Sequence, residues 1–268
     1  MSNSADLPST YTYGDSEVAG DRLAVLASIF GPTTASFLRR DAAPGPALAL
    51  DLGCGPGYTT ALVHSVVTPL ETVGLERSEA FVLRARVEHE ATIRPGLRFV
   101  AHDVTVTPFP TGPADLVFAR YLLAHLTEPI VVRDRWLTQV RPGGRLLIEE
   151  IDHVDISIRT FARYFDVVEA MSAGHGTELL VGGSIAGAAP PADVRLVDDS
   201  TVEVAPDPRA VARIFAMNLS VWRHDPWVVA NVAPLRVDEL ADELAELSSA
   251  APAAGITWHH RQLAYRRL

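Results

Sequence analysis

Ala47-Leu-Ala-Leu-Asp-Leu-Gly-Cys-Gly-Pro-Gly57 decides the fold of this chain. An apolar run that feeds into closely spaced glycines reads as a buried strand ending in a tight turn, where backbone can approach a ligand without intervening side chains. Thr59 to Val67 then reads as helix, so the unit is strand, glycine loop, helix. In an open α/β sheet such a loop faces the crevice in which cofactors bind.

A glycine loop alone also fits a dinucleotide site. Asp51, two residues before Gly53 and still on the strand, separates the two readings. A carboxylate there repels a pyrophosphate and attracts a cationic head. Asp51, Gly53, Gly55 and Gly57 in this order resemble the first motif of the class I S-adenosylmethionine-dependent methyltransferases, and the likeness is to small-molecule enzymes of bacterial secondary metabolism. The cofactor of that family carries an ammonium and a sulfonium and no phosphate.

Glu71 to Glu76 reads as the second strand, and its terminal carboxylate falls about 20 residues past the glycines, where a ribose would be met. A carboxylate accepts from both ribose hydroxyls. The resemblance places Glu76 on the ribose, Arg77 beside the adenine, Asp103 on the adenine amino group and the backbone N–H of Val104 on a ring nitrogen. Leu97 to Asp103 is the third strand and Ala114 to Arg120 the fourth, with Arg120 at the cofactor.

Arg120-Tyr-Leu-Leu-Ala-His-Leu126 lies where family members bring sulfonium and substrate together, so His125 is a candidate base. Arg141-Pro-Gly-Gly144 reads as a turn into a fifth strand, Arg145 to Ile151, which ends in Glu149-Glu-Ile-Asp-His153. Alternation sends Glu149 and Ile151 to one face and Glu150 and Asp152 to the other. One of these groups would hold a substrate amine or hydroxyl, and His153 is the second candidate base. Magnesium bound by this cluster is disfavoured, because the fuller carboxylate pattern of metal-dependent relatives is missing; no metal is expected.

Upstream, Ser16 to Phe30 carries Leu23, Leu26, Ala27 and Phe30 at helical spacing, capped by Asp15 or Ser16, and a second short helix is expected from Pro32 to Arg40. The resemblance makes residues 1–46 an N-terminal helical extension that folds over the cofactor, with Tyr13 touching it. Tyr11 and Tyr13 serve equally well as packing for the helix. Residues 47–268 form the methyltransferase domain, with a substrate-covering insertion at about 155–192. Within it Phe161, Tyr164, Phe165, Val168 and Met171 share a helical stripe, and a second helix runs from Thr177 to Ala188. Val194 to Val204 is the sixth strand and Pro206 to Trp222 the next helix. Trp222 to Trp227 either packs on the insertion or stacks on substrate. Val237 to Leu247 is amphipathic helix and Ile256 to Tyr265 the last strand. The expected fold is α/β: a Rossmann-like, seven-stranded, mostly parallel sheet whose last strand is antiparallel and inserts beside the fifth.

Composition bounds the rest. The 268 residues are 48% hydrophobic and 21% charged, as in an ordinary globular protein. The formal charge is −10, which argues against nucleic acid as a partner. All 23 basic residues are arginine, which excludes a Schiff-base lysine and a Walker-type lysine. Cys54 is the single cysteine, so no disulfide forms within the chain. Without a signal peptide pattern or a membrane-length apolar run, the protein is expected in the cytoplasm and away from membranes. A homodimer is compatible with these features.

The expected reaction is transfer of a methyl group from S-adenosyl-L-methionine, leaving S-adenosyl-L-homocysteine, to an oxygen, nitrogen or carbon nucleophile of a small organic molecule, a natural-product intermediate. Two other classes stay open: a cofactor-binding protein that does not methylate, such as a cyclase or regulator, and an NAD(P)-dependent oxidoreductase.

Overall fold

The computed structural model describes residues 16–43, 45–90, 96–250, 252 and 255–268. Tyr11 and Tyr13 lie outside the described residues. Seven strands form one sheet: β1 (Leu48–Leu52), β2 (Glu71–Glu76), β3 (Leu97–Ala101), β4 (Ala114–Arg120), β5 (Val140–Ile156), β6 (Val194–Val204) and β7 (Ile256–Arg267). Their order is β3-β2-β1-β4-β5-β7-β6. Neighbours from β3 to β5 pair in parallel, and β7 runs antiparallel to both β5 and β6. The expected architecture is the observed one.

β1 is buried at every residue because helices cover both faces of the sheet centre. On one face Phe37 and Leu38 of α1 (Glu17–Asp41) and Val63 of α2 (Tyr58–Val67) pack against Phe118 and Leu147. On the other, Trp136 and Leu137 of α4 (Pro129–Thr138) join Leu50, Val117 and Ile148; α3 (Glu79–Ala85) precedes α4 in the chain and is capped by Ser78. The chain leaves β1 outward through β2 to β3 and then returns to β4. That reversal opens a crevice above the carboxyl ends of β1 and β4.

Two local expectations are corrected. Residues 17–41 form one continuous helix with Pro32 inside it, not two helices broken at Pro32. An interior proline costs about 3 kcal/mol. Burial of Phe30 before it and of Phe37 and Leu38 beyond it, at about 1.5–3 kcal/mol for each side chain, offsets that cost. The Arg141 to Gly144 segment is likewise not a turn before the strand. β5 already begins at Val140, which pairs with Ala114, and the next pair is Leu116 with Arg145, so the segment bulges out opposite Asp115. Gly143 takes a φ of +82° there, and Arg141 Nη1 donates to Asp115 Oδ1 at 3.2 Å.

A second core lies at the β5–β7 side. Phe161, Tyr164 and Val168 of α5 (Arg159–Gly174) meet Phe215, Leu219 and Trp222 of α7 (Pro208–Trp222), Leu240 and Leu244 of α9 (Pro234–Ser249), Phe30 of α1 and Trp258 of β7. Tyr164 and Phe215 stack with centroids 3.9 Å apart and planes 2° from parallel. The shorter α8 (Pro226–Asn231) adds Val228 to this core, whereas α6 (Gly182–Gly187) adds Ile185 to the first. Trp222 is fully buried in this core and the half-buried Trp227 packs against it, which assigns both tryptophans to packing. No helix among the described residues is long and apolar enough to cross a membrane.

Candidate active site

A cavity of about 850 Å³ opens above the carboxyl ends of β1, β2 and β4, roofed by α1, α5 and α7. One end is polar and lies on the sheet: Gly53, Gly55, Glu76, Arg77, Asp103 and Arg120 line it. The other end is apolar, walled by Phe30, Tyr121, Tyr164, Phe165, Phe215 and Trp258.

The glycine loop has the shape its sequence promises. Gly53, Gly55 and Gly57 all take left-handed φ, +61°, +53° and +89°. A Cβ on Gly53 would stand 2.8 Å from the Leu122 side chain, and one on Gly57 would stand 2.7 Å from the Phe99 ring. Gly53 and Gly55 face the cavity; Gly57 starts α2 and sits behind it.

Asp51 is placed differently from a direct ligand. It is buried, does not line the cavity, and its Oδ2 accepts from the hydroxyls of Thr59 at 2.6 Å and Thr60 at 2.7 Å. Burial pushes its carboxyl up to about 6, against the two threonine hydrogen bonds and the positive charge of Arg120. The residue ties the strand end to the first turn of α2, and Thr59 carries that connection to the cavity wall.

Glu76 is held at both oxygens. Oε2 accepts the N–H of Gly55 at 3.0 Å and Oε1 that of Ser78 at 2.9 Å, so strand end and glycine loop are locked together. Each oxygen keeps a further lone pair for a diol. Asp103 Oδ1 accepts from the N–H and hydroxyl of Thr105, which leaves Oδ2 for another donor. Val104 follows at the cavity wall, and its carbonyl accepts the Trp136 indole N–H at 2.9 Å. Arg120 donates to Thr34 at 3.0 Å, and Thr34 in turn donates to the buried Glu149 at 2.5 Å.

The two candidate bases part company. His125 lines the cavity from a 3-10 turn at Leu123–His125. Burial, with Arg22 and Arg77 nearby, lowers its imidazole to about 4. His153 does not line the cavity: it is exposed and stacks on His259. The cause is a bulge. Ile151 pairs with His260 but His153 pairs with His259, so Asp152 is an extra residue and the alternation slips by one.

Three features of the cavity were not singled out from sequence. Tyr121 takes a left-handed φ of +53°, rare for an aromatic residue, and its hydroxyl lies 3.0 Å from Nε2 of the buried His260. Arg22 of α1 is buried and donates to Asn218 of α7 at 3.0 Å, and Asn218 donates to the Tyr164 hydroxyl at 2.8 Å. Glu150, one of four acidic or imidazole candidates at the strand end, reaches the cavity fully buried. Its Oε1 accepts the N–H groups of Leu122 at 2.8 Å and Leu123 at 2.7 Å, while Oε2 has no hydrogen-bond partner. Burial pushes its carboxyl up to about 8, against the backbone N–H groups that would hold it ionised.

The sheet order and the cavity at its carboxyl edge are similar to those of class I S-adenosylmethionine-dependent methyltransferases, and residues 50–148 match the family described as "Methyltransferase domain". Among particular relatives, the chain is similar to trans-aconitate 2-methyltransferase of Methylobacterium radiotolerans, 33% identical over 120 residues, covering 45% of this chain and 44% of the relative. The enzyme of that name from Acidovorax sp. is 32% identical over 119 residues, 44% of each chain. The likeness thus spans under half the length of these curated relatives. Among solved structures, the [4+2]-cyclase SpnF superposes with a TM-score of 0.57 at 17% identity, covering 97% of this chain and 98% of that one. Coclaurine N-methyltransferase, solved with N-methylheliamine and S-adenosylhomocysteine, gives 0.56 at 14% identity, covering 88% and 72%.

Proposed function

We propose that the protein transfers the methyl group of S-adenosylmethionine to a nucleophile on a small, largely apolar organic molecule such as a natural-product intermediate. The observation that supports this reading is the division of one cavity into a polar end on the sheet and an aromatic end under α1, α5 and α7.

The polar end fits the cofactor. Glu76 would take the ribose hydroxyls, Asp103 Oδ2 the adenine amino group and the Val104 backbone a ring nitrogen. The backbone of Gly53 and Gly55 would lie along the amino-acid moiety, with Arg77 beside the adenine and Arg120 at the cavity floor. The cofactor supplies a methyl group on a positively charged sulfur, so the chain needs chiefly to align an acceptor with it and to exclude water. With the cofactor bound, an acceptor lone pair held in line with the carbon–sulfur bond would take the methyl group, the bond's electrons staying on sulfur, and an oxygen or nitrogen acceptor would give up a proton. His125, unprotonated at neutral pH, lines the cavity where it would accept a hydrogen bond from the acceptor's O–H or N–H, the proton passing on to solvent as the methyl group is taken.

The acceptor end distinguishes this chain from a tricarboxylate enzyme. Its walls are aromatic and aliphatic, and Arg22 is engaged by Asn218. An aromatic or polyketide-like skeleton with one hydroxyl or amine near Glu150 suits it better.

Isothermal titration with S-adenosylhomocysteine and with NAD(H) tests the cofactor, and labelled S-adenosylmethionine with an extract of the producing cells tests transfer. Binding of the former and label in an apolar product are expected, with none in trans-aconitate. Tight NAD(H) binding alone would overturn the reading. Binding that persists while no label moves would indicate the non-methylating class.

A further inference from the structure

Away from the cavity, three neighbouring strands set a row of metal-binding side chains on one exposed sheet face. His153 of β5 stands opposite His259 of β7, Glu203 of β6 stands opposite His259 on its other side, and Asp155 lies one pleat beyond His153. Asp155 Oδ2 is 2.8 Å from His259 Nε2, and Glu203 Oε1 is 3.8 Å from His259 Nδ1. One donor atom from each of His153, Asp155 and His259 lies within 4.8 Å of the other two.

We propose that His153, Asp155 and His259 bind a divalent transition metal, with Zn²⁺ the best match, and that Glu203 orients His259 from behind. The donor set selects the metal: two imidazoles and one carboxylate suit Zn²⁺, whereas Mg²⁺ and Ca²⁺ prefer oxygen alone. Zinc bonds of about 2.1 Å put tetrahedral donors about 3.4 Å apart. The Asp155–His259 pair, hydrogen-bonded at 2.8 Å, would open by about 0.6 Å to admit the ion, and the exposed His153 and Asp155 have the rotamer freedom to make that adjustment. The two imidazole rings, stacked at 3.7 Å and 12°, would turn so that their lone pairs converge. A carboxylate on the far nitrogen of a ligating histidine is the usual second partner at such sites, and Glu203 is in that position. Water would complete the coordination.

The bulge at Asp152 creates the site, because without it His153 would point to the other face. A metal there would clamp the end of β5 to the start of β7, next to Trp258, which lines the cavity from the opposite face. The proposal does not rest on methyl transfer.

Tag-free, metal-stripped protein should be titrated with Zn²⁺ at neutral pH against a chromophoric chelator. One ion per chain is expected, with affinity at least about tenfold weaker in His153→Gln and His259→Gln, and weakened in Asp155→Asn and Glu203→Gln. His259 is buried, so circular dichroism should accompany each variant, and the exposed His153→Gln carries the test alone if His259→Gln does not fold. Equal Zn²⁺ affinity in wild type and His153→Gln, or no binding by wild type, would reduce the cluster to an ion pair beside a ring stack.

Discussion

Glu150, near the carboxyl end of β5's buried stretch, accepts the backbone N–H of Leu122 at 2.8 Å and that of Leu123 at 2.7 Å, so a single carboxyl fixes the loop that leaves β4. The same loop presents Tyr121 and His125 to the cavity. Glu150 is thus a positioning residue as well as a polar point facing the cavity.

Its pH dependence follows from the sign of the shift. Burial raises the folded-state value from 4.5 to about 8, so the folded protein binds the extra proton between those values. This contribution to stability is fully present below 4.5 and is lost as pH rises toward 8, at up to about 1.4 kcal/mol per pH unit. Glu150→Gln keeps an oxygen for the two N–H groups and removes the titration. Urea midpoints measured across this window should fall with pH in wild type and fall less in the variant; parallel curves would show that Glu150 is not the group responsible.

Asp51 gives a test of direct contact against support. Asp51→Ala strands two threonine hydroxyls and should cost about 2 kcal/mol of stability, with S-adenosylhomocysteine affinity down at least about tenfold. Asp51→Asn keeps an oxygen for Thr59 and Thr60 and removes the charge. If the residue acts through those hydroxyls, calorimetry will find the Asn variant within about threefold of wild type, a gap of under about 1 kcal/mol. A loss as large as that of Ala would mean that the negative charge itself is felt by the ligand.

Two glycines with left-handed φ separate backbone strain from crowding. Gly45, at φ +62°, has open space where a Cβ would go, whereas at Gly57, φ +89°, a Cβ would stand 2.7 Å from Phe99 and 2.8 Å from His89. Gly45→Ala should cost about 1 kcal/mol from conformation alone. Gly57→Ala adds overpacking of about 1–3 kcal/mol and moves the start of α2. Thermal melting of the two variants should show the larger drop for Gly57→Ala.

These contrasts also show what the sequence could disclose. Strand, glycine loop and the acidic ends of β2 and β3 were legible because close backbone approach and strand-end carboxylates leave local marks. The course of α1 through Pro32 was not, since tertiary burial of Phe37 and Leu38 outweighs a local breaker. His153 is a candidate in the sequence because it stands beside the carboxylates at the strand end, and the bulge at Asp152, which turns it to the other face, has no sequence signature strong enough to reveal it. Ile214, Phe215 and Asn218 of α7 line the cavity from an amphipathic stripe that reads as ordinary core. The aromatic end of the cavity is assembled from α1, α5, α7 and β7, far apart in the chain, and only packing brings them together.

His125 remains the cavity residue placed to take a proton, and its environment limits how strongly it can act. Burial first, then Arg22 and Arg77, lowers it from 6.5 to about 4, so the imidazole is neutral at pH 7 but a weak base. A well-matched general base contributes about 10²–10⁴-fold. His125→Ala should therefore slow turnover by less than about 100-fold with S-adenosylhomocysteine affinity unchanged, and a larger loss would identify a true base. Because the folded value is depressed, this histidine's contribution to stability is present above 6.5 and is lost as pH falls toward 4. Imidazole proton shifts followed by NMR should place its midpoint at about 4, and a midpoint near 6.5 would show that the cavity is wetter and less positive around His125 than the packing implies.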